Sequence, residues 1–162
     1  PHYRSSLART LFAESDVFRL VNPVDGQDLS VVMMMSCIKA LEIYWSPDFR
    51  LGDEDRHYYA LTLLQAARLH EHEAAEMLEI VEVAGWAAEQ LLDLVTEGRN
   101  YHGYLVEALH LLSVIMEGRG DLGWDQPLVL AQEVLGKMGR PLPDEIAALE
   151  RSIQERSRRA AS

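Results

Sequence analysis

The sequence predicts an all-α fold, and three observations carry that prediction. Apolar residues recur at three- and four-residue spacing through most of the chain. The stretches between them hold helix-ending residues: Asn22-Pro23, Asp25-Gly26, Ser46-Pro47, Gly98, Gly118, Gly120, Gly139 and Pro141-Leu142-Pro143. Strand-like alternation of useful length is missing. The connections are short, which favours antiparallel neighbours. The expectation is a single domain over 1–162, an antiparallel helical bundle or helical-hairpin stack of about seven to eight helices. No segment repeats at a constant period, so a regular solenoid is not expected.

The elements follow in order. A short first helix covers about 5–15, and the turn dipeptides Asn22-Pro23 and Asp25-Gly26 separate it from the next. Asp28 supplies an N-cap for a second helix at about 29–45. Ser46-Pro47 ends it, because the residue before proline is pushed out of the α region. Only Ser30, Ser36, Lys39 and Glu42 are polar in that helix, so it is placed at the centre of the bundle. Met33, Met34 and Met35 suit such a position as fillers of irregular gaps. Gly52 and Asp53 open a third helix at about 54–70. Residues 71–84 continue it or form a fourth, and Gly85 is the expected break.

A helix at 86–97 closes on Gly98 as a left-handed cap. The next, at 101–117, ends at Gly118 and Gly120. Asp125 caps a helix at 126–138, with Pro127 tolerated in its first turn. Asp144 caps the last helix, to about 158, and 144–162 forms a C-terminal helix with an arginine-rich tail. Its four arginines, Arg151, Arg156, Arg158 and Arg159, are expected mainly in solvent, with docking on an acidic face as the alternative.

Composition narrows the function classes. The chain has 162 residues, 48% of them apolar, and a formal charge of −11, enough apolar content for a packed core. That charge argues against a nucleic-acid partner, which needs clustered lysine and arginine. It also argues against docking on anionic lipid. The most hydrophobic stretch, 29–45, contains Lys39 and Glu42 and is shorter than the roughly 20 apolar residues of a membrane span. Cys37 is the only cysteine and reads as a small buried hydrophobe. The chain begins Pro1-His2-Tyr3 without methionine, which reads as a trimmed terminus, and no signal-peptide pattern stands there. A cytoplasmic, bacterial setting is expected.

The most informative segment lies between Arg68 and Arg99. It carries Glu71, Glu73, Glu76, Glu79, Glu82, Glu89, Asp93 and Glu97 and no lysine or arginine. Like charges three or four apart on a helix cost about 0.2–0.5 kcal/mol per pair, and nothing local offsets that repulsion. Helical spacing places Glu76, Glu79 and Glu82 on one face, and Glu89, Asp93 and Glu97 on one face of the helix after Gly85. If the two form a hairpin, the faces merge into one surface for a basic partner.

Two Glu-x-x-His pairs, Glu54/His57 and Glu107/His110, match the spacing used in four-helix di-iron and di-manganese carboxylate proteins. Glu42 would add a single carboxylate, with Glu82 or Glu89 as another. Against this, Glu54 falls at the start of its helix, and Glu107 and His110 point away from the main apolar stripe of theirs. His70-x-His72 has the wrong offset for chelation from one helix.

Glu73-x-x-Glu76 is similar to the first acidic motif of the all-helical nucleotide pyrophosphohydrolases of the MazG type. The resemblance implies Mg²⁺ held by that motif together with Glu-x-x-Asp on a following helix. Here Glu89 and Asp93 are four apart rather than three, and Tyr104-Leu105-Val106-Glu107 lacks the first acid. The chain is not assigned to that family.

No phosphate-binding loop, nucleophile elbow or Cys-x-x-Cys pair is present. The expectation is therefore a non-enzymatic, acidic protein-binding module without a cofactor. An immunity or antitoxin-like neutraliser, an adaptor or a chaperone would have this character. Its basic protein partner would meet Glu76, Glu79, Glu82, Glu89, Asp93 and Glu97. The alternative is a metal-binding helical bundle using Glu42, Glu54, His57, Glu107 and His110.

Overall fold

The structure, a computed structural model, describes residues 2–20 and 29–162. Among these residues the fold is all-α. Its helices are α1 (His2–Leu20), α2 (Ser30–Tyr44), α3 (Arg56–Ala67), α4 (Ile80–Thr96), α5 (His102–Gly118), α6 (Gln126–Gly136) and α7 (Asp144–Ala161). A 3-10 helix, Glu73–Met77, lies between α3 and α4. Contacts group the chain into two compact units, 1–83 and 84–162, with the boundary in the first turn of α4. No helix among the described residues is long and apolar enough to cross a membrane.

In the first unit α2 is central, packing on α1, α3 and the 3-10 helix. Ala8, Ala40 and Ala60 have no exposed surface. Such small side chains let helix axes approach closely, and Met33, Met34, Leu41, Leu63 and Leu64 fill the space around them. α2 is not enclosed, however: Val31, Val32 and Met35 are exposed, in line with Lys39 and Glu42. The enclosed segment is the second half of α3, where every residue from Thr62 to Ala67 is buried. Its two polar side chains each make one local hydrogen bond, while Gln65 Nε2 is buried without a partner among the described residues. Thr62 Oγ1 donates to the Tyr58 carbonyl at 2.6 Å, and Gln65 Oε1 accepts from Arg68 at 2.7 Å. Cys37 has no exposed surface, and burial pushes its thiol up to about 11.

α1 is longer than its expected 5–15. Its first turns are tied down by Arg4 to Asp48 at 3.0 Å and Arg9 to Asp55 at 2.9 Å. Its last turn carries an Arg19–Asp16 pair at 3.0 Å, a spacing that supports helix, with the cation at the favourable end. The expected turns at 22–26 and the Asp28 cap lie outside the described residues.

The largest departure concerns the break. Gly85 does not end a helix; it lies inside α4. A glycine there costs about 1 kcal/mol relative to alanine. That is small against burial of Val83, Ala84, Ala87, Ala88, Leu91 and Leu94 along one face. The chain breaks instead over 68–79. A continuous helix there would carry Glu73, Glu76, Glu79 and Glu82 at i, i+3 spacing; the break leaves Glu73 and Glu76 on the 3-10 helix, Glu79 on the link and Glu82 on α4, while Ala74 and Ala75 are buried.

In the second unit α5, α6 and α7 pack pairwise. Leu105, Val106, Leu109, Leu128, Ala131, Leu135 and Ile153 form their shared core. Gly98 has φ +89°, and the bonds Arg99 N–H to Leu94 O and Gly98 N–H to Val95 O, both 3.0 Å, complete a Schellman closure of α4. Gly120, at φ +77°, closes α5 in the same way. Asp125 stands at the N-cap of α6 without a side-chain cap bond. The N-cap of α7 is Pro143, with Asp144 its first residue.

Candidate functional site

The acidic segment resolves into two parts. Glu76 lies on the 3-10 helix and Glu79 on the link before α4, where its carbonyl accepts the Val83 N–H at 3.1 Å. Neither shares a helix face with Glu82, as the spacing had implied. No helical hairpin forms at Gly85. Glu82, Glu89 and Asp93 instead lie along the single helix α4, and Glu97 continues it through the bond Glu97 N–H to Asp93 O at 3.0 Å.

At 100° per residue these four acids fall within a sector of about 80°, and the 1.5 Å rise spreads them over about 22 Å. All four are exposed. The buried residues of α4 (Val83, Ala84, Ala87, Ala88, Leu91 and Leu94) occupy the opposite side.

Trp86 stands within the stripe, four residues after Glu82 and three before Glu89, and is 38% exposed. The sequence reading did not single it out. Its spacing to both acids was the available signal. A tryptophan on a solvated face offers a flat apolar surface and a quadrupole that attracts cations.

Glu82, Glu89 and Asp93 make no ion pair among the described residues, and Glu97 approaches Arg99 at 3.9 Å. Six of the chain's arginines are engaged elsewhere. Arg4 pairs with Asp48, Arg9 with Asp55 and Glu54, Arg56 with Asp53, and Arg140 with Glu150. Arg156 and Arg159 pair with Glu117 at 3.1 and 2.7 Å. So part of the C-terminal tail does dock on an acid, but the acid is Glu117 of α5, outside the segment between Arg68 and Arg99.

Comparison with protein-family models, curated proteins and solved structures finds no match.

The residues of the metal alternative fall in both units: Glu42, Glu54 and His57 in the first, Glu107 and His110 in the second. Glu42 is exposed on α2, and Glu54 lies in the turn before α3 rather than on it, 3.5 Å from Arg9. The His57 ring lies against Tyr58 at 4.0 Å. Glu107 and His110 are half-buried on α5. Among the described residues no group of three or more histidine, cysteine or acidic side chains converges as metal ligands.

The first unit also holds an open cleft of about 700 Å³ between the start of α1 and the segment 48–55. Its charged walls pair with each other. Asp55 is buried and accepts from Ser5 Oγ and Arg9 Nε, both at 2.9 Å, while the Arg9 guanidinium lies 5.0 Å from the Tyr58 ring centre. Arg4 likewise lies 5.7 Å from the Phe49 ring centre. Hydrogen bonding to Asp55 raises the Arg9 pKa above its ordinary value. These contacts fasten α1 to the segment before α3, a structural role that the sequence did not announce.

Proposed function

We propose that the chain is a non-catalytic binding module whose α4 stripe docks a basic protein partner. The observation that carries the reading is the exposed row Glu82, Glu89 and Asp93, which makes no ion pair among the described residues and runs past an exposed Trp86. Solubility alone is served more cheaply by mixing signs, since alternating charges at this spacing attract. A single-sign stripe on a body of charge −11 would accelerate encounter with a cationic surface and disfavour nucleic acid and anionic membranes. Trp86 would then supply the apolar anchor that charge alone lacks, as tryptophan commonly does in binding hot spots. An immunity or antitoxin-like neutraliser, an adaptor or a chaperone acting in a bacterial cytoplasm fits this chemistry.

Site-specific photo-crosslinking in the cell of origin tests it. A photoreactive residue at position 86 or 90 is expected to trap a defined basic protein, and the same residue at position 133 on α6 is not. The combined E82K, E89K and D93K changes should abolish the adduct. Absence of any adduct from α4, or its survival after charge reversal, would refute the proposal.

A further inference from the structure

α7 is held in an unusual way. Of its 18 residues only Ile153 is buried, whereas the 11-residue α6 buries Leu128, Ala131, Val134 and Leu135. Polar contacts supply much of the rest. Arg156 donates to Ser113 Oγ at 2.9 Å and to Glu117 at 3.1 Å, and Arg159 donates to both Glu117 oxygens at 2.7 and 2.9 Å. Both guanidinium groups also lie over the Trp124 ring, at 5.1 and 5.6 Å from its centre. Ser113 is itself fixed by donating to the Trp124 carbonyl at 2.6 Å.

The receiving face thus combines an aromatic plane, a carboxylate and a hydroxyl on α5 and the loop after it. It recognises an apolar residue followed by arginines three and six positions later. The fit is incomplete: Arg156 Nε is buried without a hydrogen-bond partner. Burial also lowers the Arg156 pKa, so docking works against its charge. The connector before α7 is mostly exposed and carries Gly139, Pro141 and Pro143.

We propose that this face of α5 and α6 is a docking groove for an arginine-bearing amphipathic helix, and that α7 is its resident, displaceable occupant. A partner helix with an aliphatic residue and arginines at the spacing of Ile153, Arg156 and Arg159 would compete for Glu117 and Trp124. Displacement would free α7 and uncover the groove. The proposal shares a basic partner with the α4 reading but rests on other residues, so either can fail alone.

Hydrogen exchange on the full-length chain tests it, with a synthetic peptide of residues 144–162 as the competitor. Weak docking predicts that α7 amides exchange at least about tenfold faster than those of α5 and α6. Excess peptide should accelerate α7 exchange several-fold further. The same peptide carrying Arg156→Ala and Arg159→Ala should not. In the chain itself, Glu117→Gln should speed exchange in α7 while sparing α4. Exchange of α7 in step with α5 and α6 would overturn the proposal, as would equal effects of the two peptides. The peptide arm uses the unaltered chain, so it decides the matter even if Glu117→Gln fails to fold.

Discussion

Replacing Asp93 with lysine should make the protein more stable while weakening its capture of a basic partner. Asp93 is exposed on α4, one turn after Glu89 and one turn before Glu97. The Glu89–Asp93 repulsion costs about 0.2–0.5 kcal/mol, and a Glu-to-Lys pair at i, i+4 returns a similar amount in its better orientation. That swing is about 0.4–1 kcal/mol. The pair with Glu97 runs in the poorer orientation, and Glu97 already has Arg99 at 3.9 Å, so it adds less. A cation near the helix C-terminus adds about 0.3 kcal/mol. The total is about 1 kcal/mol at low salt, or about 2–4 °C in melting temperature for a chain of this size. Circular dichroism melts at low salt and at 1 M salt would show it, since a screening length of about 3 Å at 1 M removes most of the gain. A lower melting temperature, or a gain that salt leaves untouched, would refute the electrostatic account of α4. A stabilised variant with undiminished partner capture would refute its link to function.

Other expectations follow from named positions. Gly85→Ala should stabilise by about 0.5–1 kcal/mol, because a Cβ there meets open space within a helix; urea unfolding reads the sign. Gly98→Ala should destabilise by about 1 kcal/mol, since φ +89° strains any residue with a Cβ, and the same unfolding curves would separate the two glycines. Asp55→Ala should cost about 2 kcal/mol by stranding Ser5 and the Arg9 guanidinium, moderated because Arg9 reaches water; hydrogen exchange should show the loss first at the start of α1. For Cys37 the folded thiol titrates near 11 against an ordinary 9.0, so the unfolded chain loses its proton first. Stability should therefore fall between those two pH values by about 1.4 kcal/mol per unit from this group, and Cys37→Ala should remove that share of the slope in pH-dependent unfolding.

The helical class and most element positions were legible because they rest on local signals. α2 falls within one residue of its expected ends, and Gly98 takes the left-handed conformation expected of it. The Gly85 break was not legible. Whether a helix tolerates glycine depends on what its other face buries, and that is a tertiary fact. The same limit explains α2, which is central to its unit yet leaves Val31, Val32 and Met35 exposed. The acids of the stripe could be read as a charge pattern, but the absence of an ion pair at Glu82, Glu89 and Asp93 among the described residues could not. Pairs such as Arg9–Asp55 and Arg159–Glu117 span 46 and 42 positions, beyond the reach of any periodicity argument. Trp86 was within reach, since i, i+4 and i+7 spacing alone places it between Glu82 and Glu89.

The lone sulfhydryl also has a practical consequence. Cys37 is sealed in the first unit and protonated at neutral pH, so it is a poor target for maleimide or iodoacetamide reagents. A cysteine introduced at an exposed position, as in Met77→Cys, would then be the sole reactive attachment point for a dye or spin label, with the native Cys37 left in place. Distance measurements between two such tags, one on each unit, would be open to this molecule from the start.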